Sequence, residues 1–252
     1  QVFTIFGTMF AYFSIILVNY GDYSRYVSSK KELKKGNITL LVNIFVFSIL
    51  AIIITVGCDI ILNQKLMNLE RILTNPTDII GQFDQINLSI LVLITILIAS
   101  ISTNLIANFI PASNSIINFL PNNFSAKSSG LLICVFGFVI GSLWVSLISK
   151  IGLLSIIDTI GAFLGPLFGI LIIDYYIIKK QYVDFSDLFS SDPQGKYFYS
   201  NGWNIKSFYS LFVAFIFSSA TIWNSELRFL NSYSWIIGAF VGGLLQYLFS
   251  KK

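Results

Sequence analysis

Seven apolar runs, each long enough or nearly long enough to cross a bilayer, constrain this chain more than any other feature. They cover roughly Thr4–Tyr20, Ile38–Gly57, Leu88–Ile110, Gly130–Ile148, Leu153–Ile178, Phe208–Trp223 and Ser234–Phe249. None alternates as a barrel strand does. Backbone groups inside lipid must satisfy one another, so each run predicts a helix. Composition agrees: 11% of residues are charged, against about 25% in an average soluble domain. The fold class that follows is an all-α membrane protein with seven transmembrane helices and no soluble domain. The first run is short at its start, as a truncated helix would be. The chain begins at Gln1, with neither a Met nor a charged n-region. That does not look like a signal peptide and predicts a chain cut from something longer.

The sequence contains no His, which excludes Ser-His-Asp and Cys-His catalysis, HExxH zinc sites and His proton relays. Cys58 and Cys134 form no metal-spacing motif. With no paired carboxylates at catalytic spacing, an enzyme is not the reading. Net charge is +4, but the basic residues lie between apolar runs and form no patch for nucleic acid.

They set an orientation instead. If the first helix runs from outside to inside, twelve of the 16 lysines and arginines fall on the cytoplasmic side: Arg25, Lys30, Lys31, Lys34, Lys35, Lys127, Lys179, Lys180, Lys196, Lys206, Lys251 and Lys252. Lys65, Arg71, Lys150 and Arg228 fall outside. The positive-inside rule therefore places the C-terminus in the cytoplasm. Trp144, Trp203, Trp223 and Trp235 lie near predicted helix ends, as an interfacial belt requires. Two connections are long. Asp59–Gln85, broken by Asn75-Pro76, predicts one or two helices on the outer surface; Pro111–Ser129, with Pro111 and Pro121 as breakers, reads similarly inside.

The third run is the most polar. At 100° per residue Ala99, Ser102 and Thr103 share one arc, and Ser100, Asn104 and Asn108 another. The first arc offers two hydroxyls and a carbonyl, uncharged oxygens suited to sodium. The second offers amides that both donate and accept, suiting a planar ligand with alternating N–H and C=O groups. The rival reading is interhelical hydrogen-bond glue. In the fifth run, Gly161, Gly165 and Gly169 recur every four residues, with Pro166 beside the middle one. That is a close-packing stripe, or else a helix able to flex as a gate at Gly165 and Pro166. Gly238 and Gly242 read as packing. Asp158 sits about 8 Å into the same run, either as a functional intramembrane acid or in an outer vestibule. Asp174 near Lys179 and Lys180 reads as interfacial and structural. Asp22 and Arg25 read as a pair at a helix end, and Lys30–Lys35 as a membrane anchor.

Three stretches in order resemble the nucleobase–cation symport family 1, the permeases for cytosine, uracil, allantoin and hydantoins. The first is Asn19-Tyr20-Gly21-Asp22-Tyr23-Ser24-Arg25-Tyr26. The second is Ser102-Thr103-Asn104, continuing through Ala107-Asn108 to Pro111-Ala112. The third is Gly165-Pro166-Leu167-Phe168-Gly169 through Asp174-Tyr175-Tyr176, followed by Asp184-Phe185-Ser186-Asp187-Leu188-Phe189 and the Gly195, Tyr197, Tyr199, Gly202, Asn204 run. The resemblance implies a twelve-helix carrier with the five-plus-five inverted repeat of the LeuT type. Residues 1–180 would be its second repeat, helices six to ten, and residues 181–252 its exit loop and last two helices. The N-terminal repeat would be absent, so the missing helices of the same chain count among its partners.

By the same resemblance Ala99, Ser102 and Thr103 match part of a sodium site. Asn108 matches a substrate-contacting amide, with Asn104 on its arc, and Phe13 matches an aromatic that stacks on the planar substrate, where hydantoin carriers have Trp. The implied activity is secondary active import of a nucleobase or related heterocycle across the cell membrane, coupled to Na+, or to H+, by alternating access, with no other cofactor. The absence of His removes one route for protons. Rival readings keep the fold with another solute, such as a vitamin precursor or amino acid, or make the chain a non-transporting scaffold subunit.

Overall fold

The computed structural model describes residues 2–66, 79–81, 84–120, 122–143, 153–188, 190 and 192–251. The regular elements among these residues are all helical, with no strand beyond an isolated bridge between Ser200 and Trp203. Six helical stretches among them are long and apolar enough to cross a membrane, and Ile5–Val18 is a shorter apolar helix. The chain is therefore an all-helical membrane protein. It divides into two compact units, Gln1–Tyr20 with Cys134–Lys252, and Gly21–Ile133.

In the first unit α1 (Val2–Val18), α7 (Leu153–Ile172), α9 (Ile205–Trp223) and α10 (Ser234–Ser250) pack together, with the one-turn α8 (Phe185–Leu188) between α7 and α9 in the chain. The core of this unit is the seam between α7 and α10, and glycines decide its closeness. A Cβ at Gly165 would strike the Trp235 carbonyl, and one at Gly169 the Ala239 carbonyl. In return, a Cβ at Gly238 would meet the Pro166 ring at 2.6 Å, and one at Gly242 the Pro166 carbonyl at 2.7 Å. Gly161 gives the same clearance to Ala11 of α1. Where lipid supplies no hydrophobic drive between helices, such backbone-to-backbone approach is what dispersion forces need. Ser218 of α9 adds a polar tie, its hydroxyl donating to the Ser234 carbonyl at 2.5 Å.

The tryptophan belt needs correction at one position. Trp235 is buried, its ring stacked on Phe10 at 5.5 Å and tilted against Phe168 at 5.3 Å. The reason is that a 3₁₀ stretch, Ser225–Tyr233, extends the last span backwards. Trp235 consequently lies well inside that span instead of at its mouth. Trp144 lies outside the described residues.

The second unit contains α2 (Tyr20–Ser24) from its second residue, α3 (Lys30–Leu66), α4 (Ile86–Asn104), α5 (Ile110–Phe119) and the start of α6 (Ala126–Leu143). With 37 residues, α3 is about 55 Å long at 1.5 Å per residue, well beyond the roughly 30 Å hydrocarbon core. Lys30–Lys35 form its first turns. Ser29 and Glu32 stand at capping-box spacing, with the Glu32 amide donating to Ser29 Oγ at 3.3 Å. The predicted break at Pro111 is absent: α4 passes through a π-helical turn, Leu105–Phe109, directly into α5. Pro111 supplies no N–H to the turn before it, and the wider π turn lies where that bond is lost. Pro121 and most of the predicted outer surface helices lie outside the described residues.

Candidate functional site

The two polar arcs of α4 carry different hydrogen-bond patterns. On the first, Ser102 Oγ donates to the Ala99 carbonyl at 3.0 Å, and Thr103 is exposed beside it. These are uncharged oxygens, the donor type that hard cations accept. A cation there would have to draw the Ser102 hydroxyl proton away from the carbonyl. On the second arc the amides form a ladder. Asn104 Nδ2 donates to the Ser100 carbonyl at 2.9 Å, and Asn108 Nδ2 donates to Asn104 Oδ1 at 2.6 Å. The ladder ends on Asn108 Oδ1, which has no partner among the described residues and is free to accept an N–H.

Asn108 owes its position to the π turn. Hydrogen bonds there run i to i+5, shown by the Ile110 amide donating to the Leu105 carbonyl. The wider turn lowers the rotation per residue, so Asn104 and Asn108 stay nearly in line. Turns of this kind are short, strained insertions that occur often at functional sites. Local rules read Pro111 as a breaker and so do not announce this turn.

The Asp22-Tyr23-Ser24-Arg25 signature secures this segment. Asp22 Oδ1 accepts from Arg25 at 2.9 Å and from Asn114 Nδ2 of α5 at 3.0 Å. Tyr23 Oη donates to the Ala107 carbonyl at 2.9 Å. That carbonyl lacks its i+4 donor, because residue 111 is proline. Burial, and then the Asp22 carboxylate, hold the Tyr23 phenol above its ordinary pKa, so it stays a donor at neutral pH. Sequence reading had paired Asp22 with Arg25 and did not foresee Tyr23 or Asn114.

The remaining candidates lie in the other unit. Phe13 of α1 is half-buried, its ring edge-on to Tyr12 at 5.2 Å. Gly165 and Pro166 sit in the α7–α10 seam described above. Asp158 is buried and accepts from Asn231 Nδ2 of the 3₁₀ stretch at 3.4 Å, while Asn231 Oδ1 has no partner among the described residues. Asp174, in a second π segment (Ile173–Ile178), pairs with Lys179 at 2.6 Å and accepts from Gln246 at 3.5 Å. Thus the structure joins Ser100, Asn104 and Asn108, and separately Ala99 with Ser102; Phe13 belongs to the other compact unit. Asn231 and Gln246 escaped the sequence reading, although Gln246 is the one amide in α10.

A family model described as permease for cytosine/purines, uracil, thiamine, allantoin matches residues 2–249. The chain is 28% identical to an allantoin permease of Bacillus subtilis over 235 residues, 93% of this chain and 45% of that protein. It is 27% identical to a purine-uracil permease of Arabidopsis thaliana over 206 residues, 82% of this chain and 33% of that one. A putative allantoin permease of Escherichia coli is 25% identical over 236 residues, 93% of this chain and 47% of the relative. The chain therefore spans about half the length of these relatives or less. No solved structure matches it significantly. The relatives are permeases and not enzymes, and a match from residue 2 to residue 249 leaves one conclusion: the chain belongs to the family of permeases for cytosine/purines, uracil, thiamine and allantoin.

Proposed function

We propose that the protein is a cation-coupled importer of a nucleobase or a related planar heterocycle. The observation that carries this reading is the amide ladder of α4, which ends on the open Asn108 acceptor in a π turn. A heterocycle with an N–H beside a C=O can donate to Asn108 Oδ1 and accept from the remaining amide protons of Asn104 and Asn108. Phe13 would stack on its face. Ala99, Ser102 and Thr103 would contribute oxygens to a coupling cation, Na+ rather than H+, since the arc holds no titratable group.

Coupling in this reading is a difference in affinity. The cation drives import only if it binds the outward-facing state more tightly and so raises the population that takes up substrate. The Gly165–Pro166 stretch, lying against α10, would act as the gate between the two states. Residues 1–180 form the second half of an inverted-repeat carrier and residues 181–252 its exit loop and peripheral helices. The protein lies in the cell membrane, with the C-terminus in the cytoplasm following the excess of Lys and Arg on that side.

The test is uptake of labelled nucleobases by the protein produced from its complete reading frame, in sodium and in choline buffer. Asn108→Ala should abolish substrate uptake, and Thr103→Ala should weaken its sodium dependence. Unchanged uptake in both variants would refute the assignment. A thermal-shift screen of nucleobases, hydantoins and amino acids then decides the substrate class.

A further inference from the structure

A cavity of about 730 Å³ lies where three membrane spans end on one face, at Ile178, Ile205 and Ser250. No residue of α4 lines it, and neither the permease reading nor the relatives' names assign it a role. Lys179, Lys196 and Lys206 line it against a single lining carboxylate, Asp174. Lys179 is spent on Asp174 at 2.6 Å. Lys196 has its ammonium over the rings of Tyr182 and Tyr197, at 5.7 and 5.8 Å. Asp184 and Asp187 lie near Lys196 but do not line the cavity. Lys206 makes no ion pair among the described residues.

Two further features face the same space. The N-terminus of α9 opens on it through Asn204, Ile205 and Lys206. The Asn204 side chain accepts only from the Ser207 amide, which leaves the first-turn amides of Ile205 and Lys206 and the positive end of the helix for an anion. Gln246 also lines the cavity, is 1% exposed, and has an Oε1 with no partner among the described residues. Its amide orientation is fixed, because Nε2 donates to Asp174 and a flipped amide would set oxygen against carboxylate. A buried acceptor left unpaired is costly, and an O–H or N–H on a ligand removes that cost. The occupant must combine negative charge with a donor a few ångströms away.

We propose that this cavity binds a glycerophosphate group, with its phosphate on Lys196, Lys206 and the α9 N-terminus and a glycerol hydroxyl donating to Gln246 Oε1. Its position at the ends of three spans places it at headgroup depth, where Lys and aromatic side chains meet lipid phosphates. The group can arrive on an anionic phospholipid of the adjoining leaflet or as a soluble phosphoester.

The test uses the protein from its complete reading frame in nanodiscs. Native mass spectrometry reads the phosphatidylglycerol, phosphatidylmethanol and phosphatidylcholine retained from an equimolar mixture. Phosphatidylmethanol carries the same charge as phosphatidylglycerol without the hydroxyls. Wild type should retain phosphatidylglycerol best. Lys206→Gln and Lys196→Gln, both at exposed side chains, should each lower its retention roughly fivefold, and Gln246→Leu should erase the preference over phosphatidylmethanol. In a parallel arm, sn-glycerol 3-phosphate is titrated in phosphatidylcholine-only discs and followed by Trp203 fluorescence. A response that Lys206→Gln abolishes assigns the site to the soluble source, and lipid retention without that response assigns it to the leaflet. The proposal is overturned if Lys206→Gln changes neither readout, or if Lys127→Gln, which does not line the cavity, lowers lipid retention as much.

Discussion

Removing one oxygen, by Tyr23→Phe, should destabilise the second unit by an amount that residue 111 controls. Tyr23 Oη donates 2.9 Å to the Ala107 carbonyl, and the proline at 111 cannot supply the usual i+4 N–H to that carbonyl. An ordinary hydrogen bond contributes about 0.5–1.5 kcal/mol net, whereas an acceptor left unpaired out of water costs about 1–3 kcal/mol. This bond is only partly buried, so some water reaches it, and the loss should be about 1.5 kcal/mol, roughly tenfold in the unfolding equilibrium. In a Pro111→Ala background the helix has its own donor at that turn. Tyr23→Phe should then cost only about 0.5 kcal/mol, for a coupling near 1 kcal/mol in the double-mutant cycle. Reversible unfolding of the four proteins by SDS titration in mixed micelles measures it. If Tyr23→Phe costs the same in both backgrounds within about 0.3–0.5 kcal/mol, the clamp does not work through the proline-freed carbonyl.

Other outcomes follow from the same geometry. Gly169→Ala would drive a Cβ into the Ala239 carbonyl and should destabilise by about 1–3 kcal/mol. Gly137→Ala, which meets nothing within 4 Å, should be neutral or stabilising by up to about 1 kcal/mol; the same unfolding assay compares them. Asp158→Ala strips the half-buried Asn231 amide of its acceptor and should cost about 1–2 kcal/mol, while Asp158→Asn, which retains an acceptor oxygen, should cost less. For Lys179, burial lowers the ammonium's affinity for its proton, but Asp174 and Tyr199 outweigh it and leave the pKa raised. Its contribution is therefore complete below the ordinary lysine value of about 10.4 and is lost as pH rises through the higher folded value. Stability should fall between about pH 9 and pH 12 more steeply in wild type than in Lys179→Gln, as unfolding midpoints at the two pH values would show.

Helix identity was legible because lipid removes alternatives: an apolar run such as Leu153–Ile178 has to satisfy its own backbone, and the structure places its helix there. The two arcs of α4 were equally legible, since helical periodicity alone groups Ser100 with Asn104 and Asn108. Helix ends were less so. Pro111 reads as a stop by local rules, yet α4 runs through it, because a π turn absorbs the register and a distant hydroxyl meets the freed carbonyl. No residue near Pro111 announces Tyr23, which lies 84 positions from Ala107. Trp235 shows the same limit. Its position near a helix end suggested an interface, and only the packing of Phe10 and Phe168 around it made it core.

By itself, then, the sequence determined a multi-helix membrane protein and a set of candidate polar arcs, since each follows from short-range periodicity and from the residue types within the apolar runs. Tertiary structure alone decided which polar groups are satisfied. The Gln246 and Asn231 amides are each half-used, the Asp22 carboxylate is doubly bound, and three lysines share a cavity with one carboxylate. Hydrogen bonds and charges act over a few ångströms between residues far apart in the chain, and those proximities exist only once the helices have packed.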